Sequence, residues 1–311
     1  MEVLFSQAMS QGHVCTTLAA ATRLLILDGQ KKDADMSKFS WESEWRLQEL
    51  KEESFLVKHV MDKTTKWMKL AERKMPDTLQ STLESGFNKA FVMVFEKGAT
   101  LIEKTYNKDK QEFIFKENEK ELDLQEFNAK SIKKFERQAK RTIYKNLVIT
   151  SVEGIGMGLA GVGIPDIPIF VSVLLKSIYE IAISYGFSYT TEKEKLFILK
   201  IIETSLKNGD FLRKKNEEVD KLIEQYYKEE TIPEQVGETD EFVTELQIIR
   251  QIDRSAEVLS HELLYGKFVQ GMAFVGIVGG TADFTCLKRV TDYAALKYKR
   301  RFLLRQMPEM D

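Results

Sequence analysis

The chain is short of the residues that punctuate or staple a fold. Only 5 prolines occur in 311 residues, which disfavours a many-turned β architecture and leaves room for long helices. The 2 cysteines, Cys15 and Cys286, stand far apart, with no disulfide framework and no metal-ligand spacing, as suits a reducing compartment. The 3 histidines, His13, His59 and His261, are scattered. His261-Glu262 opens like a zinc-protease motif, but Tyr265 stands where the second histidine is required, so no metal and no cofactor is expected. The net charge of −2 exerts no overall pull toward nucleic acid. Period-2 alternation, low-complexity tracts and Pro/Ser linkers are all missing. The apolar runs 154–165, 167–175 and 268–282 fall short of the ~20 residues of a membrane span.

What is present is ordinary for a globular protein, with 43% hydrophobic and 30% charged residues. Residues 1–36 read as an N-terminal appendage. Val14–Leu27 is apolar, but it lacks a basic leader and is interrupted by Arg23, and Met36-Ser37 follows a charged stretch as an alternative start. Residues 37–311 read as a single helical domain.

Helical periodicity runs through most of that domain. A first helix from Ser40 carries Trp41, Trp45, Leu56, Val60 and Trp67 and ends near Met75-Pro76. Asp77 and Gln80 open a second, reaching Tyr106. Asn107–Asp123 is highly charged and is expected to contain a loop. Tyr185-Gly186 stops a later apolar helix at a glycine C-cap, and Thr191 with Glu194 forms a capping box for the next. Glu217–Glu245 holds 11 acids against Lys221 and Lys228, with a loop at Glu229–Asp240, and another helix runs from about Glu241 to Tyr265. The fold class is therefore all-α, a multi-helix bundle.

One helix carries a clear charge pattern. Lys130, Lys133, Lys134, Arg137, Lys140, Arg141 and Lys145 fall within a sector about 140° wide at the helical angle. Ile132, Phe135, Ala139 and Ile143 lie opposite. With Glu136 as the one acid, the local charge is +6. Such a basic amphipathic helix can hold anionic lipid headgroups, although a charged helix face is often no more than a solvated surface.

This helix leads into Gly154, Gly156, Gly158, Gly161 and Gly163, five glycines within ten residues, followed by Ile164-Pro165-Asp166-Ile167-Pro168. Glycine costs a helix ~1 kcal/mol relative to alanine, so the run needs a reason. A phosphate-cradling loop would follow a strand, for which Leu147–Val152 is the sole candidate, and would end in a lysine and a hydroxyl residue, which are missing. Close helix packing explains the run better, because Gly154, Gly158 and Gly161 share one face and Gly156, Ala160 and Gly163 the other. A second segment, Gly271–Gly280, stacks Ala273, Gly276 and Gly280 in the same way. Asp166 and Asp283 each stand three residues after a glycine and before a helical pattern, the place of a capping turn in which Pro165 and Pro168 assist. The expectation is two glycine-rich apolar helical hairpins that pack in the core or touch a membrane. A second basic run, Lys288, Arg289, Lys297, Lys299, Arg300, Arg301 and Arg305, follows the second segment.

The stretch from Gly154 to Gly163 running into Ile164-Pro-Asp-Ile-Pro168, continued through Tyr179-Glu-Ile-Ala182 and Tyr185-Gly-Phe187, resembles the bacterial EcsC family. Val275-Gly-Ile-Val-Gly-Gly280 and the basic terminal helix fit the family's C-terminal part, and the resemblance covers roughly residues 38–305. The family's activity is unsettled, and its namesake accompanies an ABC-type exporter. The resemblance thus implies a fold and a membrane context, with a membrane surface or a membrane protein such as an ABC transporter as partner, and no chemistry.

Two main functions remain open on these grounds, and a third, nucleotide binding, would need a strand before Gly154 and open amides there. The first is a membrane-surface-associated accessory protein, cytoplasmic and peripheral to the inner face of the cell membrane, steered by Lys130, Lys133, Lys134, Arg137, Lys140 and Arg141. The second is a hydrolase using Asp166, with Glu153, Glu180 or Asp283 as a second carboxylate.

Overall fold

The computed structural model describes residues 41–60, 77–97, 102, 106–124, 129–157, 167–231, 243–272 and 281–307. These form α1 (Trp41–Val60), α2 (Asp77–Lys97), α3 (Lys108–Leu124), α4 (Ala129–Met157), α5 (Ile167–Ser184), α6 (Glu192–Leu206), α7 (Gly209–Thr231), α8 (Glu245–Met272) and α9 (Thr281–Arg305). No strand occurs among the described residues, and the fold is all-α.

α3 is a correction, since it is a helix where a charged loop is expected. Asn107 starts it by accepting from the backbone N–H of Lys110 at 2.8 Å, an N-cap bond. Its inner face alternates apolar and amide side chains, Gln111, Phe115, Asn118 and Leu122. That mixture breaks the apolar period that otherwise marks a helix.

Chain ends of helices are set by local chemistry that the sequence displays. α5 stops in a Schellman motif, in which Phe187 N donates to Ala182 O at 2.9 Å and Gly186 N to Ile183 O at 3.0 Å. Gly186 takes φ 77°, the left-handed conformation the motif needs. α6 starts at Thr191, whose side chain accepts from Glu194 N. The other half of the expected capping box is not made. The Glu194 carboxylate turns inward and receives Arg301 at 2.8 and 2.9 Å and the Tyr298 hydroxyl at 2.6 Å.

α9 lies at the centre and packs on α1, α4, α5, α6, α7 and α8. Leu287, Val290, Tyr293, Ala294 and Tyr298 are buried along it. So are Lys297, Lys299 and Arg301, so these three of the second basic run face the interior. Each meets carboxylates from distant helices. Lys297 Nζ lies 2.7 Å from Glu52 and 2.6 Å from Asp220. Lys299 pairs with Glu44 and Glu136. Arg301 sits against the rings of Phe187 and Phe197 at 4.1 and 4.6 Å while holding Glu194. Arg300 stacks over Trp45 at 4.7 Å and reaches Glu52 at 3.3 Å. Trp41 and Trp45 form a packed face, as their spacing suggests. Their rings stack at 5.1 Å, and Trp41 Nε1 donates to Leu303 O at 2.7 Å. An unpaired buried charge is strongly destabilising, so these pairs fix α9 in one register against α1, α4, α6 and α7.

The network makes stability depend on acid. Burial raises the pKa of Glu136, but Lys299 and Lys51 beside it pull the other way and hold it at about 2. A carboxylate depressed in the folded state contributes stability that is present above its unfolded value, near 4.5, and lost as pH falls through the folded one. The melting temperature should therefore fall between about pH 4.5 and 2, and Glu136→Gln should flatten that part of the curve. An unchanged slope in the variant, followed by thermal melts across this range, would assign the acid sensitivity elsewhere.

α2 approaches α5 through Gly86, where a Cβ would lie 2.7 Å from Cδ1 of Ile167. α5 is long and apolar enough to cross a membrane, and 67% of it is buried inside the protein. That is the pattern of a core helix.

Candidate functional site

α5 also packs on α4, and α4 carries the cation stripe. Ile132, Phe135, Ala139, Ile143 and Leu147 are buried along its inner face, as the periodicity predicts. Its outer face is the candidate site.

Lys130, Lys133, Arg137, Lys140 and Arg141 are exposed. None of the five has an acidic partner among the described residues. Lys134 and Lys145, at the stripe's margin, are engaged. Lys134 pairs with Glu121 of α3, and Lys145 lies 3.7 Å from Glu180. The contrast with α9 is complete. There, Lys288 pairs with Asp292, Arg305 with Glu230, and Arg289 donates to the Lys207 carbonyl that ends α6. All seven basic residues of the second run are occupied, and five of the first have no acidic partner among the described residues.

α3 braces this face. The Phe115 and Phe135 rings meet at 5.7 Å between centroids. Asn118 Nδ2 donates to Gln138 Oε1 at 3.4 Å, and Gln138 Nε2 to Gln111 O at 3.3 Å. Glu180 of α5, fully buried, ties both helices from below by accepting from Gln111 Nε2 and Asn146 Nδ2, each at 2.6 Å. The stripe therefore rides on a surface held at several points.

The glycine segments are seen only at their approaches. Gly154 and Gly156 lie in the helical backbone of α4, so 147–152 is helix and not the strand a phosphate loop would follow. Gly158, Gly161, Gly163, Pro165, Asp166, Gly276 and Gly280 lie outside the described residues. α4 packs on α5 and α8 on α9; the segments 158–166 and 273–280 that connect them lie outside too. Pro168 is the second residue of α5, and its carbonyl accepts from Ser172 Oγ at 2.7 Å. Asp283 stands inside the first turn of α9, not ahead of it, where a carboxylate faces the positive end of the helix. Of the carboxylates grouped with Asp166, Glu180 is taken up by the two amides just described.

A pocket lined by Phe187, Tyr226, Arg301 and Arg305 has room for about one water, near 10 Å³. It is too small for an organic substrate.

The exposed apolar residues beside the stripe were missed by sequence reasoning. Phe113 is 63% exposed, Ile114 36% and Tyr144 69%. Tyr144 shares the stripe's outward face at i+3 and i+4 from Arg141 and Lys140, a spacing visible in the sequence. Phe113 and Ile114 belong to α3, which its charge density disguised.

Comparison with known proteins agrees with the resemblance. The model of the EcsC protein family matches residues 42–303. Protein EcsC of Bacillus subtilis (strain 168) is 22% identical over 169 residues, 54% of this chain and 61% of that protein. An uncharacterized protein of the same organism, YdbA, is 26% identical over 167 residues, 52% of this chain and 55% of its own length. The chain thus spans between about half and three fifths of these relatives. No solved structure matches.

Proposed function

Since the chain belongs to the EcsC protein family, we propose that it is a membrane-surface-associated accessory protein that engages anionic lipid headgroups through the outer face of α4. The observation that carries this is the row of five exposed cations without carboxylate partners among the described residues. In a chain with as many acids as this one, 48 against 46 basic residues, charges left unpaired along one braced face invite an anionic partner. Headgroup attraction contributes about 1 kcal/mol per basic residue near such a surface. The same proposal has the protein peripheral to the inner face of the cell membrane, beside a membrane protein such as an ABC exporter; that element is carried by the resemblance.

Sedimentation with vesicles tests it. The protein should bind phosphatidylcholine vesicles only when anionic lipid is included, and less as salt is raised. Lys133→Glu, Arg137→Glu and Lys140→Glu together should weaken binding by roughly 100-fold, from three lost contacts of ~1 kcal/mol each. The melting temperature should hardly change, because all three side chains are exposed. Binding indifferent to lipid charge, to salt and to the triple reversal would refute the proposal.

A further inference from the structure

The antiparallel packing of α3 and α4 puts exposed apolar residues of both helices on one braced element. The pairs Glu121 with Lys134 and Asn118 with Gln138 set the register. As one helix advances the other retreats by the same number of residues; with the Gln138–Gln111 bond and the Phe115–Phe135 contact included, Phe113 and Ile114 fall between the levels of Phe135 and Ile143, within about two turns of Tyr144. Phe113 and Tyr144 both point away from the inner faces marked by Phe115 and Phe135, which touch each other. The exposed residues of the α3–α4 face thus include two aromatic rings and an isoleucine, with Arg137, Lys140 and Arg141 on the same outer face of α4 as Tyr144.

Such a face needs an occupant. A soluble polyanion would satisfy the cations and leave Phe113 in water. A bilayer interface satisfies both, because headgroups take the cations while rings settle at the boundary of the acyl chains, where aromatic side chains are favoured. Resting on the membrane-surface proposal above, we infer that Phe113, Ile114 and Tyr144 form an insertion edge. The α3–α4 face then lies flat on an anionic bilayer and is held by partial burial of these side chains as well as by charge.

The edge and the stripe are separable by experiment on the full chain. In vesicles of phosphatidylcholine and phosphatidylglycerol with brominated acyl chains, Phe113→Trp should lose more fluorescence on binding than the wild type, whose Trp41, Trp45 and Trp67 set the baseline. Phe113→Ser should lower vesicle partitioning about tenfold, the scale of burying one phenylalanine. The loss should persist at about 0.5 M salt, where charge attraction is screened. Two results would overturn the insertion edge while leaving the surface proposal intact: vesicle binding without extra quenching in Phe113→Trp, or an unaltered partition in Phe113→Ser. No vesicle binding by the wild type would remove both, and binding to heparin without vesicle binding would point to a soluble polyanion instead.

Discussion

Lys297→Met should lower the free energy of unfolding by about 3–5 kcal/mol, the cost of stripping one partner from a buried ion pair. The side chain is fully buried, and its ammonium is shared between Glu52 and Asp220. Methionine fills much of the same volume, so packing is largely kept and the effect isolates charge. Arg300 would remain near both carboxylates, at 3.3 and 3.6 Å, but one guanidinium would face two acids. Urea titration should show a lower midpoint with an unchanged slope. A second variant distinguishes electrostatics from shape. Lys297→Met combined with Glu52→Gln and Asp220→Asn should regain much of the loss, because replacing a whole buried pair by neutral groups is often near neutral. If the single variant is as stable as the wild type, the network is not what holds α9.

Gly186→Val should be nearly as damaging, with a loss of roughly 3 kcal/mol. Two costs add. The backbone sits at φ 77°, where an L-residue with a Cβ loses ~1–2 kcal/mol, and a β-branched one is a clear outlier. The new Cβ would also lie 2.7 Å from Cε1 and Cε2 of Phe115 and closer still to Cζ, an overlap worth about 1–3 kcal/mol. Phe115 has little freedom to retreat because its ring is backed by Phe135. Gly186→Asn separates the terms, since asparagine tolerates the left-handed region but keeps the clash. Coupling between Gly186→Asn and Phe115→Ala in a double-mutant cycle, read by chemical denaturation, should exceed the additive expectation. Simple additivity would locate the whole cost in the backbone.

These two sites mark the extremes of what could be read from the chain. Gly186 was legible, because a glycine after an apolar helix is a local signal and the Schellman hydrogen bonds need nothing beyond six consecutive residues. The inner face of α4 was legible for the same reason, since Ile132, Phe135, Ala139 and Ile143 repeat at the helical period. α9 was not. Its lysines and arginines look like a solvated surface until Glu44, Glu52, Glu136, Glu194 and Asp220 arrive from far along the chain, and no spacing rule connects such distant partners. α3 failed for a related reason, because amides at Gln111 and Asn118 occupy inward positions that periodicity reserves for apolar residues. As for the candidate site, the cation stripe was visible at once. The apolar edge was half visible, through Tyr144, and its other half was hidden with α3.

The place of α9 also bears on how the molecule is made. It is the last described helix to leave the ribosome, and it is the strut on which six earlier helices lean. Until it emerges, Glu44, Glu52, Glu194 and Asp220 lack the α9 cations that pair with them, and the aromatic shelf of Phe187 and Phe197 has no Arg301 guanidinium to close over. The nascent polypeptide therefore acquires its native interior only after residue 305 has been made, and a product cut short before α9 would meet the cell's proteases without one.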